Sequence, residues 1–160
     1  MTQRLNPFAS PGVMKPQIAN LMKPLIDFGT TVVQNGLEPS LMELVKIRAS
    51  QLNGCAICLH MHTQEARKRG ETEERLYLLD AWRESPLYSA RERAALGWTD
   101  ALTLVAETHA PDEAYQALQA QFTEEEQVKL TLLITAINSF NRFGVGFRLG
   151  HPVRTERSAA

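Results

Sequence analysis

Cysteine is scarce in this chain, with 2 in 160 residues, and that excludes a fold stapled by a disulfide framework. Charge of one sign is also missing: 17 Lys and Arg stand against 18 Asp and Glu, for a net charge of −1. The balance removes the basic footprint expected of a binder of nucleic acid or anionic membranes. No stretch reaches the roughly 18 apolar residues of a membrane span. The opening MTQRLNPFASPGVMK holds no apolar core of signal-peptide length. A cytoplasmic protein with no nucleic-acid and no membrane partner is therefore expected. Period-2 alternation, internal repeats and low-complexity tracts are lacking too, so strands and repeat arrays have no support.

What is present is helical punctuation. A length of 160 residues with 44% hydrophobic content is enough for one domain with a sizeable core. Ile18, Leu21, Met22, Leu25, Ile26, Val32 and Val33 pattern a first helix, perturbed at Pro24 and ended by Asn35-Gly36. Pro39 opens a second helix to about Leu52, Asn53-Gly54 breaks the chain, and a third helix runs from about Cys55 to Arg69. A short helix follows Thr72. Ser89-Ala90-Arg91-Glu92 and Thr123-Glu124-Glu125-Glu126 are capping boxes, the first opening a helix to about Glu107 and the second a long apolar one. Another short helix starts at Ala110-Pro111-Asp112. The fold expected is an all-α bundle of about seven helices in one domain over residues 1–160, with flexible arms at about 1–13 and 152–160.

The chemistry concentrates at the break, in Cys55-Ala56-Ile57-Cys58 and His62. At about 100° per residue, Cys55, Cys58 and His62 fall within about 60° of one another, whereas His60 lies well over 100° away. A thiol at a helix N-terminus meets unpaired backbone N–H groups that favour the thiolate. Glu43 joins only if Asn53-Gly54 folds the two helices into an antiparallel hairpin. Glu43 and His62 then stand at heights of about 15 and 12 Å from the turn and can meet. The relay read from this spacing has Glu43 orienting His62, His62 taking a proton from Cys58, and Cys55 as the resolving thiol.

Other readings stay open at this point. The cysteines can be small buried residues at a tight junction, or zinc ligands together with His60 and His62, although one short C-x-x-C leaves a ligand set incomplete. A thioredoxin-like motif follows a strand, and none is evident. Glu43 alone is an ordinary helix carboxylate. Arg48 lies on an apolar arc, as a buried ion-pair partner or a snorkelling side chain. Asn138, Asn141 and Arg142 form a polar stripe suited to hydrogen bonding in a core or subunit interface. Phe140, Phe143 and Phe147 suit packing.

Glu43, eleven residues, then Cys55-x-x-Cys58-x-x-x-His62 resembles the signature of the alkylhydroperoxidase D branch of the carboxymuconolactone decarboxylase superfamily. The text from Glu43 to Cys55, Met61-His62-Thr63, Trp82-Arg83-Glu84 and Ile137-Asn138 through Asn141-Arg142 is similar as well. The likeness spans roughly residues 15–149. It implies an all-helical homo-oligomer, trimer or hexamer. It also implies a thiol-dependent peroxidase in which Cys58 attacks a hydroperoxide, Cys55 closes the disulfide, and an external dithiol reductant reopens it. No metal or organic cofactor is required. The best-known members of the branch carry a histidine between the two cysteines, where this chain has Ile57. The alternatives are a carboxymuconolactone decarboxylase-type lyase, whose relatives generally lack the cysteine pair, and a non-catalytic redox-sensing protein.

Overall fold

The computed structural model describes residues 4–10 and 13–153. Of the arms expected at the termini, residues 1–3, 11–12 and 154–160 lie outside that description. Every element of the described chain is helical. The α-helices are α1 (Pro16–Val33), α2 (Pro39–Asn53), α3 (Ala56–Lys68), α4 (Glu73–Leu78), α5 (Ala90–Thr103), α6 (Val105–Thr108), α7 (Asp112–Gln121) and α8 (Glu124–Gly146). A single 3-10 turn, Leu79–Ala81, follows α4.

The described residues thus hold eight α-helices where about seven were expected, because the helix read as running to Glu107 divides. Leu104 leaves helical geometry (φ −102°, ψ 31°), and α6 is one separate turn closed by left-handed His109 (φ 54°). Pro111 disfavours a right-handed helical conformation at Ala110, which adopts φ 50°. Both capping boxes form: the Ser89 side chain accepts from Glu92 N and that of Thr123 from Glu126 N, each glutamate reaching back to its cap.

α2 is the axis of the bundle. It packs against α3, α5 and α8, and every residue from Leu41 to Ser50 is buried. One side of it joins a cluster with Trp98, Leu118, Leu130, Leu133 and Ile134. The other, through Leu44 and Ile47, joins Leu76, Leu79, Trp82 and Leu96. A helix buried all round must also bury its polar residues, and α2 carries Glu43, Lys46, Arg48 and Ser50 inside. Each has a partner. Arg48 donates from Nε to Asp100 Oδ1 at 2.6 Å and from Nη1 to Asp80, so it is a buried ion-pair residue rather than a snorkelling one. Asp100 also receives Arg83 Nη1 at 2.6 Å and Trp82 Nε1 at 3.3 Å.

Of the polar stripe on α8, Asn138 and Asn141 lie inside the fold, whereas Arg142 is exposed and donates from Nη1 to Asn138 O at 2.9 Å. Asn141 Nδ2 donates to Ser50 Oγ at 3.0 Å, and Asn138 Nδ2 donates to Thr103 Oγ1 at 3.0 Å. Asn53 Nδ2 donates to the side-chain oxygens of Asn138 (2.9 Å) and Asn141 (3.0 Å). The bonds to Ser50 and Asn53 pin α8 to the C-terminal end of α2, directly before the two cysteines, and the bond to Thr103 ties it to α5.

Candidate active site

The turn between α2 and α3 sets the geometry. Gly54 occupies the left-handed region (φ 66°), its N–H reaches Gln51 O, and Cys55 N–H reaches Ser50 O at 3.0 Å. This is a Schellman-type helix end, which needs a residue without a Cβ penalty at Gly54. Cys55 is consequently the N-cap of α3 and Cys58 lies in its first turn. The two sulfurs are joined as a disulfide, with the Cα atoms 5.4 Å apart.

α3 folds back along α2, and the turn brings together Glu43 and His62. His62 Nδ1 stands 2.9 Å from Glu43 Oε2, while Lys46 Nζ donates to Glu43 Oε1 at 2.6 Å. Burial pushes the Glu43 carboxyl up, but the hydrogen bonds from His62 and Lys46 outweigh it and hold its pKa below the ordinary value. Glu43 is thus an anion in the protein interior, balanced by a cation on one oxygen and an imidazole on the other.

The two cysteines are not equivalent. Cys58 and His62 both line a cavity of about 660 Å³, which Cys55 does not. Cys58 is 7% exposed and Cys55 1%. The remaining wall is largely apolar, from Ile26, Val33, Ile57, Met61, Ile137 and Phe140, with Lys46 the only Lys, Arg, Asp or Glu lining it among the described residues. Phe8, from the N-terminal arm, completes it, packing on Phe140 and Phe143 with ring centres 6.1 and 5.9 Å away. Arg4 Nη1 donates to Gly146 O and ties the same arm to α8.

His60 stays apart from this group. Its ring stacks on His151 at 4.8 Å and bonds to Gln64. Among the described residues no three or more His, Cys, Asp and Glu side chains are grouped to hold a metal ion.

Sequence reasoning missed Lys46, Phe8 and Gly144 as parts of the site. Lys46 carried a readable signal, a cation one turn from Glu43 in an otherwise apolar run. Gly144 carried a weaker one, as a glycine inside a helix. Phe8 carried none, since its place depends on how the arm lies across α8.

Residues 19–101 match the carboxymuconolactone decarboxylase family. The uncharacterized Bacillus subtilis protein YdfG is 44% identical over 124 residues, covering 78% of this chain and 84% of its own length. The uncharacterized Escherichia coli protein YnjA is 31% identical over 107 residues, covering 67% of this chain and 58% of its own. Among solved structures, a protein of unknown function from Agrobacterium tumefaciens, provisionally named as the antioxidant defence protein AhpD, is 45% identical. It aligns with a TM-score of 0.86 over 96% of this chain and 100% of its own. The debrominase Bmp8, at 18% identity, shares the fold with a TM-score of 0.68 over 83% of this chain and 70% of its own.

Proposed function

This chain belongs to the carboxymuconolactone decarboxylase family, and we propose that it is a thiol peroxidase of the alkylhydroperoxidase D-like kind. Cys58 is the attacking thiol, Cys55 the resolving thiol, His62 the acid–base group and Glu43 its orienter. The observation that carries the reading is the asymmetry of the pair: Cys58 borders the cavity beside His62, and Cys55 lies behind it.

In the first step His62 takes the Cys58 proton, and the thiolate attacks one oxygen of the hydroperoxide. The S–O bond forms, the O–O bond breaks, and the departing alkoxide takes the proton from His62 and leaves as an alcohol. Cys58 is now a sulfenic acid. Cys55 then attacks the Cys58 sulfur, the S–O bond breaks, and water leaves as the disulfide closes. An external dithiol reopens the pair by exchange and becomes a disulfide itself, supplying the two electrons that reduced the peroxide. The position of α3 favours the thiolate, because the Cys58 sulfur lies in the first turn of that helix.

The apolar wall suits an organic hydroperoxide better than hydrogen peroxide, since burying a hydrocarbon tail there releases water from both surfaces. Ile57, at the family's histidine position, adds to that wall. His62 is then left as the acid–base group of the relay.

Chain-level readings follow the same line. Residues 1–160 act as one unit, and a homo-oligomer, trimer or hexamer, buries the apolar side chains Leu21 and Ile26 of α1 and Met61 of α3, which are exposed in the single chain. Turnover needs a reducing partner, which agrees with the cytoplasmic location expected from the sequence. Sedimentation velocity tests the assembly.

The activity test is direct. Wild type consumes an organic hydroperoxide in the presence of a dithiol donor, and Cys58→Ser does not. Equal rates for the two proteins overturn the assignment.

A further inference from the structure

Gly144 sits buried in the interior of α8, where glycine is less favourable than alanine. Its backbone does not call for glycine, because the glycines with positive φ are Gly36, Gly54 and Gly70. Space does. A Cβ at Gly144 would stand 2.5 Å from Cys55 Sγ, 3.2 Å from Ile57 Cγ2 and 3.5 Å from Cys58 Sγ. Gly146, two residues along the same helix, would meet nothing within 4 Å.

Neither side of that contact is free to retreat. The Cys55 backbone is held by its N–H on Ser50 O at 3.0 Å and by its carbonyl, which accepts from Leu59 N at 2.9 Å. α8 is held to the same stretch through Asn141, whose amide donates to Ser50 Oγ and whose oxygen accepts from Asn53, both at 3.0 Å. The gap between α8 and the Cys55 backbone is therefore fixed on both sides, and the Cys55 sulfur fills it.

We infer that Gly144 is a positioning residue for the redox pair: its missing side chain is the seat that the Cys55 sulfur occupies when the disulfide is closed. This rests on the reading that the pair cycles between dithiol and disulfide. A free Cys55 thiol rotates about χ1 to another staggered position, whereas the disulfide ties it to Cys58. A methyl group at position 144 therefore penalises the disulfide more than the dithiol. The pair becomes easier to reduce and slower to close.

The test equilibrates wild type and Gly144→Ala in dithiothreitol buffers of graded poise and counts alkylated thiols by mass spectrometry. The expected result is a shift of the equilibrium toward the dithiol of about tenfold or more, equivalent to about 30 mV. A control separates sulfur contact from general packing. In a Cys55→Ala background, where the sulfur is gone and the tight contact left is Ile57 Cγ2 at 3.2 Å, adding Gly144→Ala lowers the melting temperature by less than it does in the oxidised parent. A cycling wild type with an unchanged equilibrium in Gly144→Ala overturns the role of Gly144 alone, as does a drop in melting temperature in the Cys55→Ala background as large as in the oxidised parent. A wild-type pair inert to the buffers overturns the redox reading on which the inference stands.

Discussion

His62 Nδ1 lies 2.9 Å from Glu43 Oε2, across the two helices that the Asn53-Gly54 turn folds together. An ionised carboxylate only accepts, so Nδ1 carries the proton and donates it, and Nε2 is the nitrogen left to exchange protons. The carboxylate thereby chooses the tautomer as well as the ring orientation.

Replacing Glu43 by Gln keeps the shape and removes the charge. Steady-state consumption of an organic hydroperoxide falls by about 10²-fold, on the scale of a lost acid–base positioning group. The disulfide still forms on slow oxidation, because both sulfurs remain. A rate within twofold of wild type rejects the relay.

The Glu43 carboxyl also has a pH signature. Its folded-state pKa is lowered, so its contribution to stability is complete above the ordinary carboxylate range and is lost as pH falls through the folded value. The stability gap between wild type and Glu43→Gln therefore narrows in acid. Lys46→Met removes one of the two hydrogen bonds that lower the pKa, so the acid loss is smaller and is complete at a higher pH. Denaturant melts of the three proteins across the acid range check both statements.

Arg48 anchors the far side of α2 through Asp100, at 2.6 Å. Arg48→Met leaves Asp100 buried with only Arg83 and Trp82, and stability falls by about 3 kcal/mol. Urea unfolding measures it. The residual oxidised protein keeps the Cys55–Cys58 disulfide, since the ion pair lies on the opposite side of the helix from Glu43.

Phe8 forms cavity wall without touching the chemistry. Phe8→Ala raises KM for a bulky apolar hydroperoxide severalfold, since a large apolar contact is lost. Turnover of hydrogen peroxide changes little. Equal effects on both peroxides contradict an apolar substrate pocket.

Local signals in the sequence accounted for most of the bundle. The capping boxes at Ser89 and Thr123 and the glycine turn at Gly54 are short-range events, and each sits where the spacing set it. Helical phase and the hairpin together brought Glu43 to His62. The division of the fifth helix at Leu104 was not legible, because no Gly or Pro marks that residue. Nor was the partner of Arg48: Asp100 is 52 residues away, and only the packing of α5 on α2 brings it close. The spacing of Lys46 from Glu43 was readable, but the burial of both was not, because the burial of α2 over residues 41–50 is itself a tertiary fact.

The two jobs of the site are encoded largely in separate parts of the chain. Glu43, Lys46, Cys55, Cys58 and His62 all come from the α2–α3 hairpin, whereas most of the apolar wall, Phe8, Ile26, Ile137 and Phe140 among it, comes from the arm, α1 and α8, with Ile57 and Met61 the hairpin's share. Electron transfer is thus a cassette, and substrate choice is a frame built around it. Grafting the arm, α1 and α8 of a relative onto this hairpin, with the glycine at position 144 kept, would change which molecule is reduced while leaving the thiol chemistry that reduces it in place.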